Sequence, residues 1–159
     1  MNYLLWTLFA LHVFDVIWRL IWLATVPQYA TDGAACFDLH AILENTVTLF
    51  HGESIVIGTG LAFEIPEGWT MLVYGRSGHA FKHGTRLGNS VAVIDHDYRG
   101  EVMIKLTREY SAGTDAMTIC QGDRIAQAML VQVPHVNFEV CEQLSITDRG
   151  QGGLGSTGN

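Results

Sequence analysis

Hydrophobic and polar positions divide the chain into three textures. From Tyr3 to Val26 nearly every residue is apolar, broken by His12, Asp15 and Arg19. After Pro27 short apolar or alternating runs recur: Thr46–Phe50, Ser54–Ile57, Leu61–Ile65, Met71–Tyr74, Val91–Ile94, Val102–Thr107, Met117–Cys120, Ile125–Val133 and Phe138–Cys141. Val, Ile, Thr and aromatic residues dominate them. Turn residues punctuate them at His51-Gly52, Pro66-Glu67-Gly68, Arg99-Gly100, Ser111-Ala112-Gly113 and Gln121-Gly122-Asp123. Period-two runs at this spacing predict strands, and their number predicts an all-β sandwich or jelly roll. A short helix is predicted after Gly78. The third texture is the tail Arg149–Asn159, whose five glycines leave almost nothing to bury; it reads as a flexible segment.

The apolar start has the length of a membrane span. Its thirteen Leu, Ile, Phe and Val residues favour insertion by roughly 4–8 kcal/mol, and Asp15 and Arg19 each oppose it by about 2.5–3.5 kcal/mol. Spaced four apart, those two can pair on one helix face and soften the cost. The sums nearly cancel, so the balance does not favour membrane contact through residues 3–26. The other reading makes Val16–Val26 a buried first strand, with the earlier residues covering apolar surface. No basic n-region precedes the run, which argues against a secretory signal.

The whole chain has 159 residues, 48% hydrophobic and 16% charged, which suits one domain and excludes a disordered linker. Nine Lys and Arg against sixteen Asp and Glu give a net charge of −7. That balance argues against nucleic-acid binding, because no basic excess displaces counterions from phosphates. Cys36, Cys120 and Cys141 are odd in number and lie far apart, so a disulfide framework or zinc ribbon is not expected and the cytoplasm is the expected compartment.

Four segments combine glycine, hydroxyl, acid and base in ways that packing does not require. They are Ala30-Thr-Asp-Gly-Ala-Ala-Cys-Phe-Asp-Leu39, Gly75-Arg-Ser-Gly78, the stretch from Gly88 to Glu101 containing Asp95-His-Asp-Tyr98, and Gly122-Asp-Arg-Ile-Ala-Gln127 taken with the tail. Each alone reads as a turn, a polar hairpin connection or a loose end. His79 and His83 have the spacing of a helical metal pair, but no third ligand pattern accompanies them. His96 alternates away from Asp95 and Asp97 if the segment is extended.

In this order and spacing the segments resemble the five motifs of the trimeric deoxyuridine triphosphatases, from about Leu23 to the C-terminus. The resemblance implies a dUTPase-like distorted jelly-roll β-barrel spanning 23–148, an apolar extension over 1–22 compatible with a helix, and a glycine-rich lid over 149–159. It implies a homotrimer with shared sites that hydrolyses dUTP to dUMP and pyrophosphate with Mg²⁺, limiting uracil in DNA and supplying dUMP for thymidylate synthesis. Asp95 matches the aspartate that orients and deprotonates the water attacking the α-phosphorus. Tyr98 matches the ring beneath the deoxyribose, which leaves no room for a 2′-hydroxyl. Asn89 and the hairpin backbone up to Asp95 match the uracil reader, with Ile94 and Met103 among the substrate-binding positions. Arg76, Ser77, Gly78 and Gln127 match the phosphate-binding groups. Asp38 matches an aspartate that contacts the metal through water, as suits Mg²⁺ carried by substrate phosphates. Arg149, Leu154, Gly155, Ser156 and Thr157 match the tail that covers base and γ-phosphate.

This sequence departs from the family pattern at four places. Leu154 stands where phenylalanine usually stacks on uracil, Ala92 where the hairpin usually has glycine, Cys36 where the first motif has glycine, and His79 where leucine follows Arg-Ser-Gly. Stacking of a base on a ring is worth about 1–3 kcal/mol, so Leu154 is expected to tune activity rather than abolish it. Three other readings compete: a dCTP deaminase relative, a non-catalytic nucleotide-binding protein on the same fold, and a structural jelly roll. The last leaves the polar motifs without a purpose.

Overall fold

The computed structural model describes residues 23–109 and 116–153. Among the described residues nine strands and one complete short helix follow in chain order: β1 Phe37–His40, β2 Val47–Leu49, β3 Ser54–Gly58, β4 Trp69–Tyr74, α1 Ser77–His83, β5 Thr85–Leu87, β6 Val91–Ile94, β7 Met103–Arg108, β8 Met117–Ile119 and β9 Arg124–Gln132. They form a four-stranded sheet in the order β1-β9-β4-β6, a three-stranded sheet β3-β7-β5 and the pair β2-β8. The fold is mostly β, as the alternating runs predict. The described strands lie in three sheets and do not close into one continuous barrel.

Strand alternation builds the core. On β7, Ile104 and Leu106 point inward while Met103 and Lys105 face out. On β9, Ile125, Ala126 and Ala128 are fully buried, and the small alanines let neighbouring strands approach. Leu39, Leu49, Ile57, Met71, Val73, Leu87 and Ile119 complete the interior from the other strands. Arg108 is also buried, and its Nη1 donates to the Leu49 carbonyl at 3.0 Å. That bond ties the end of β7 to β2 and meets part of the hydrogen-bonding demand of a buried guanidinium.

Four expectations differ from the structure. Leu61–Ile65 keeps its alternation, with Ile65 buried, but runs as an extended loop with no ladder. Phe138–Cys141 joins no sheet, and Phe138 and Val140 are fully exposed. Thr25 and Val26 form no strand and are exposed, while residues 16–22 of the expected first strand lie outside the described residues, as does the whole apolar extension 1–22. The helix begins at Ser77, one residue before Gly78, and stops at Gly84, whose left-handed φ of 59° lets its N–H return to the Ala80 carbonyl. No described helix is long and apolar enough to cross a membrane.

Replacing Leu106, 1% exposed at the centre of the three-stranded sheet, by alanine removes packing that its neighbours cannot refill. Urea unfolding of L106A should show a loss of about 2–5 kcal/mol; a loss within experimental error would show that the site collapses without a cavity.

Candidate active site

The first, second and fourth motif segments meet because β9 is hydrogen-bonded on both sides. Asp38 of β1 and Tyr74 of β4 both pair with Gln127 of β9. Just past Tyr74 the chain leaves the sheet at Gly75 and enters α1, which delivers Arg76, Ser77 and Gly78 to the same edge. Ala30, Ala34, Ala35, Cys36, Asp38, Arg76, Ser77, Gly78, Arg124 and Gln127 line one recess of about 350 Å³.

Asp38 organises this recess. One of its oxygens accepts from Arg76 Nε at 3.0 Å and the other from Arg124 Nη1 at 3.1 Å. Arg76 also donates through Nη1 to the Arg124 carbonyl at 3.3 Å. The Asp38 and Arg76 side chains are 15% and 23% exposed, so their pair is screened less than an ordinary surface bridge, while Arg124, half exposed, contributes less. Two guanidinium groups against one carboxylate leave one net positive charge in the recess. Gln127 donates from Nε2 to the Gly75 carbonyl at 3.0 Å, which fixes its amide plane. Ser77 and Gly78 lie exposed on the first turn of α1, and a Cβ built on Gly78 would meet nothing within 4 Å. Space there is left open, as an incoming ligand requires. The arrangement suits an anion with several oxygens.

Arg124 was not among the residues expected here. The signal for it was its place in Gly122-Asp-Arg-Ile-Ala-Gln127, three positions before Gln127 on the same strand. Two departures from the family pattern also lie at this recess. Burial, then the Asp38 carboxylate, pushes the Cys36 thiol above its ordinary pKa. Burial, then the neighbouring Arg76 guanidinium, lowers the pKa of His79, with His83 and Arg124 acting the same way and Asp123 opposing them. His79 Nδ1 is buried without a hydrogen-bond partner among the described residues.

The third motif segment lies elsewhere. Asn89 sits exposed on the turn between β5 and β6, where Ser90 takes a φ of 63° and the Val91 N–H closes onto the Asn89 carbonyl. Ile94 ends β6 opposite Met71, and its carbonyl accepts the Thr70 hydroxyl at 2.8 Å. Asp95 follows, exposed, on a turn closed by the Tyr98 N–H to the Asp95 carbonyl at 3.2 Å. Tyr98 is 43% exposed, and its hydroxyl donates to the Glu101 carbonyl at 3.0 Å. Met103 opens β7 and is exposed.

These residues do not join the recess within one chain. Asp95 lies beyond the Met71 end of β4, whereas Arg76 lies beyond the Tyr74 end. At about 3.3 Å per residue the strand holds the two about 15–20 Å apart. In the tail, Arg149 Nε donates to the Gly152 carbonyl at 2.8 Å across a turn with Gly150 at a φ of 50°. Leu154, Gly155, Ser156 and Thr157 lie outside the described residues.

No group of three His, Cys, Asp or Glu able to hold a metal occurs among the described residues. Asp38 is the one carboxylate lining the recess, and its oxygens are engaged by arginines. Such a donor set fits Mg²⁺ carried by phosphates and waters and does not fit an all-protein cage.

A mostly β fold with a cationic, glycine-edged recess defines a class of small β proteins with room and charge for an anion. The dUTPase family model matches residues 23–158. The chain is 46% identical to the deoxyuridine 5′-triphosphate nucleotidohydrolase of Hahella chejuensis over 134 residues, 84% of this chain and 86% of that one. It is 45% identical to the enzyme of the same name from Desulfitobacterium hafniense, over 84% of this chain and 87% of the other. Among solved structures, the Staphylococcus bacteriophage 80alpha dUTPase with dUpNHpp superposes with a TM-score of 0.75 at 26% identity, covering 86% of this chain and 94% of that one. The dUTPase of phage phi11 of S. aureus, described with a structural Mg(II) ion, shares the fold at a TM-score of 0.67 and 22% identity, over 78% and 94%. The chain belongs to the dUTPase family.

His79 carries a pH dependence. With its folded pKa lowered, the unfolded chain takes up the proton first, near the ordinary value of about 6.5. Stability from this group is therefore full above that value and is lost as pH falls through it toward the folded value. Melting temperatures measured between about pH 7.5 and 5.5 should fall less in H79L than in the parent chain; parallel curves would remove His79 as the cause.

Proposed function

We infer that this chain is a dUTP diphosphatase that hydrolyses dUTP to dUMP and pyrophosphate. The observation that carries the reading is the recess in which Asp38 holds Arg76 and Arg124 beside Ser77, Gly78 and Gln127, on a chain of the dUTPase family. A triphosphate laid there has its charge met by two guanidinium groups, the Ser77 hydroxyl and the free N–H of the Gln127 amide. Asp38 keeps both arginines extended along the recess before substrate arrives, so little reorganisation is needed on binding.

Asp95 takes the proton from a water placed against the α-phosphorus. The water oxygen forms the new P–O bond, the bond to the bridging oxygen breaks, and pyrophosphate leaves with the β- and γ-phosphates. Tyr98 lies under the sugar, and the β5–β6 turn with Asn89 reads the base, helped by Ile94 and Met103. Mg²⁺ bound to the phosphates would supply charge neutralisation, with Asp38 as the residue that reaches its water shell. Arg149, Ser156 and Thr157 cover the γ-phosphate, and Leu154 and Gly155 lie over the base. The lid comprises 149–159 and the domain 23–148.

The separation of Asp95 from Arg76 along β4 supports a site shared between chains, and we assign the protein as a homotrimer. A second feature agrees. Val136, Phe138, Val140, Leu144 and Ile146 are 65–106% exposed along a segment that joins no sheet. Apolar arms of this kind gain free energy by lying on another subunit. The three free cysteines suit the cytoplasm.

The test is pyrophosphate release from dUTP, with dCTP, dTTP and UTP alongside, with Mg²⁺ and with chelator. Release from dUTP alone, abolished by chelator, is the expected result; ammonia from dCTP would point to a deaminase instead, and tight dUTP binding without release to a non-catalytic protein. Asp95→Asn should lower turnover by about 10²–10⁴-fold while leaving dUTP affinity largely intact. Surviving turnover would mean that another group accepts the proton.

A further inference from the structure

The ring of Tyr98 is held in place by Glu101, the last residue of the third motif segment and one to which no role has been assigned. Its hydroxyl reaches back over Gly100 to the Glu101 carbonyl, 3.0 Å away. A Cβ on Gly100 would come within 2.6 Å of the ring carbon that bears the hydroxyl, so only glycine lets the ring fold onto this loop. The carbonyl that anchors the ring is itself pinned from the segment that follows β3. The Glu101 carboxylate accepts the Gly60 N–H at 2.8 Å. The next residue is fixed twice, by the Val102 N–H to the Leu61 carbonyl at 2.9 Å and by the buried Thr59 hydroxyl to the Val102 carbonyl at 2.7 Å. Gly58 leaves room for the carboxylate: a Cβ there would stand 2.6 Å from Glu101 Oε1.

We propose that Glu101 is a positioning residue for Tyr98, and through it for selection of a sugar without a 2′-hydroxyl. The proposal rests on the reading of Tyr98 as the surface beneath the deoxyribose. A ring rejects one hydroxyl only if its height is fixed to a fraction of an ångström, and a tyrosine on a partly exposed turn is not fixed by packing alone. Two hydrogen bonds in series, Gly60 N–H to Glu101 carboxylate and Tyr98 hydroxyl to Glu101 carbonyl, carry the rigidity of the β3–β7 pair to the ring. The carboxylate acts here as an oxygen acceptor, so its charge is not the point.

The test measures kcat and KM for dUTP and UTP on the full chain and on E101A, E101Q, G58A and Y98F, with melting temperatures alongside. In E101A the ratio of kcat/KM for UTP to that for dUTP should rise about fivefold, the size expected for one lost hydrogen bond. E101Q, which keeps an amide oxygen facing Gly60, should retain most of the selectivity. G58A displaces the same carboxylate without altering Glu101 and should raise the ratio as E101A does, with no further rise in the double variant. Y98F, which loses the bond to the Glu101 carbonyl, should raise it as well. G58A and Y98F keep the test open if E101A does not fold. A lowered melting temperature with an unchanged ratio in E101A and G58A would reduce Glu101 to a structural role and overturn the proposal, as would E101Q behaving like E101A. A parent chain that hydrolyses dUTP and UTP alike would overturn it together with the assignment of Tyr98. A parent chain inert toward dUTP would overturn the proposed function as well.

Discussion

Strand β9 is seated between β1 and β4, and the arginine-lined recess depends on that seat. Gln127 is the residue at which the two ladders coincide, facing Asp38 on one side and Tyr74 on the other. At nine residues the strand is long enough to serve both neighbours, and after Ile125 the buried Ala126 and Ala128 alternate with the less buried Gln127 and Met129. A slip of one residue would turn Gln127 inward and bury its amide, a cost the hydrophobic pattern forbids. Register and chemistry are therefore specified together. Once β9 is in place, Asp38 and Arg124 are close enough to pair, and Arg76 joins them from the exit of β4.

The same sheet that gathers the first, second and fourth motif segments keeps the third away. β6 pairs with β4 on the side opposite β9, antiparallel, so its C-terminal end points away from α1. Asp95 and Tyr98 are thus carried to the far end of the strand that leads into Arg76. On the roles proposed above, Asp95 at one end and the arginine-lined recess at the other would form one site only across subunits. The exposed apolar residues between Val136 and Ile146 fit this logic, because a chain that completes its neighbour's site also needs surface with which to hold that neighbour.

Much of this was legible in the sequence because strands advertise themselves by period two. Ser54–Ile57, Met71–Tyr74, Val91–Ile94 and Ile125–Val133 all fall on observed strands, with ends that differ by no more than two residues. β1 was missed although Phe37-Asp-Leu39-His alternates cleanly, because its glycine- and alanine-rich approach reads as loop. β5 has only three residues, too few to show a period. Leu61–Ile65 and Phe138–Cys141 mislead for the opposite reason: alternation predicts which side chains face one way and says nothing about whether a partner strand lies alongside. The recess was legible as separate motifs, while its organisation was not. Asp38 and Arg124 are 86 residues apart, and only the β1–β9 register reveals that one carboxylate serves two arginines.

The geometry also decides what the departure at Ala92 does. In the proposed function the third motif segment reads a base through backbone groups, so a side chain in place of hydrogen matters only if it projects over that backbone. β6 is an edge strand, bonded to β4 on one side alone. Along it Val91 and Val93 face outward, while Ala92 and Ile94 turn toward the core, with Ala92 opposite Val73. The added methyl group is thus spent on packing and stays out of the plane of the strand, where the free N–H and C=O groups of an edge lie. An edge strand is otherwise a liability, open to pairing with any other chain. Under the proposed reading a base is the partner of those open groups, and an alanine turned inward leaves them available.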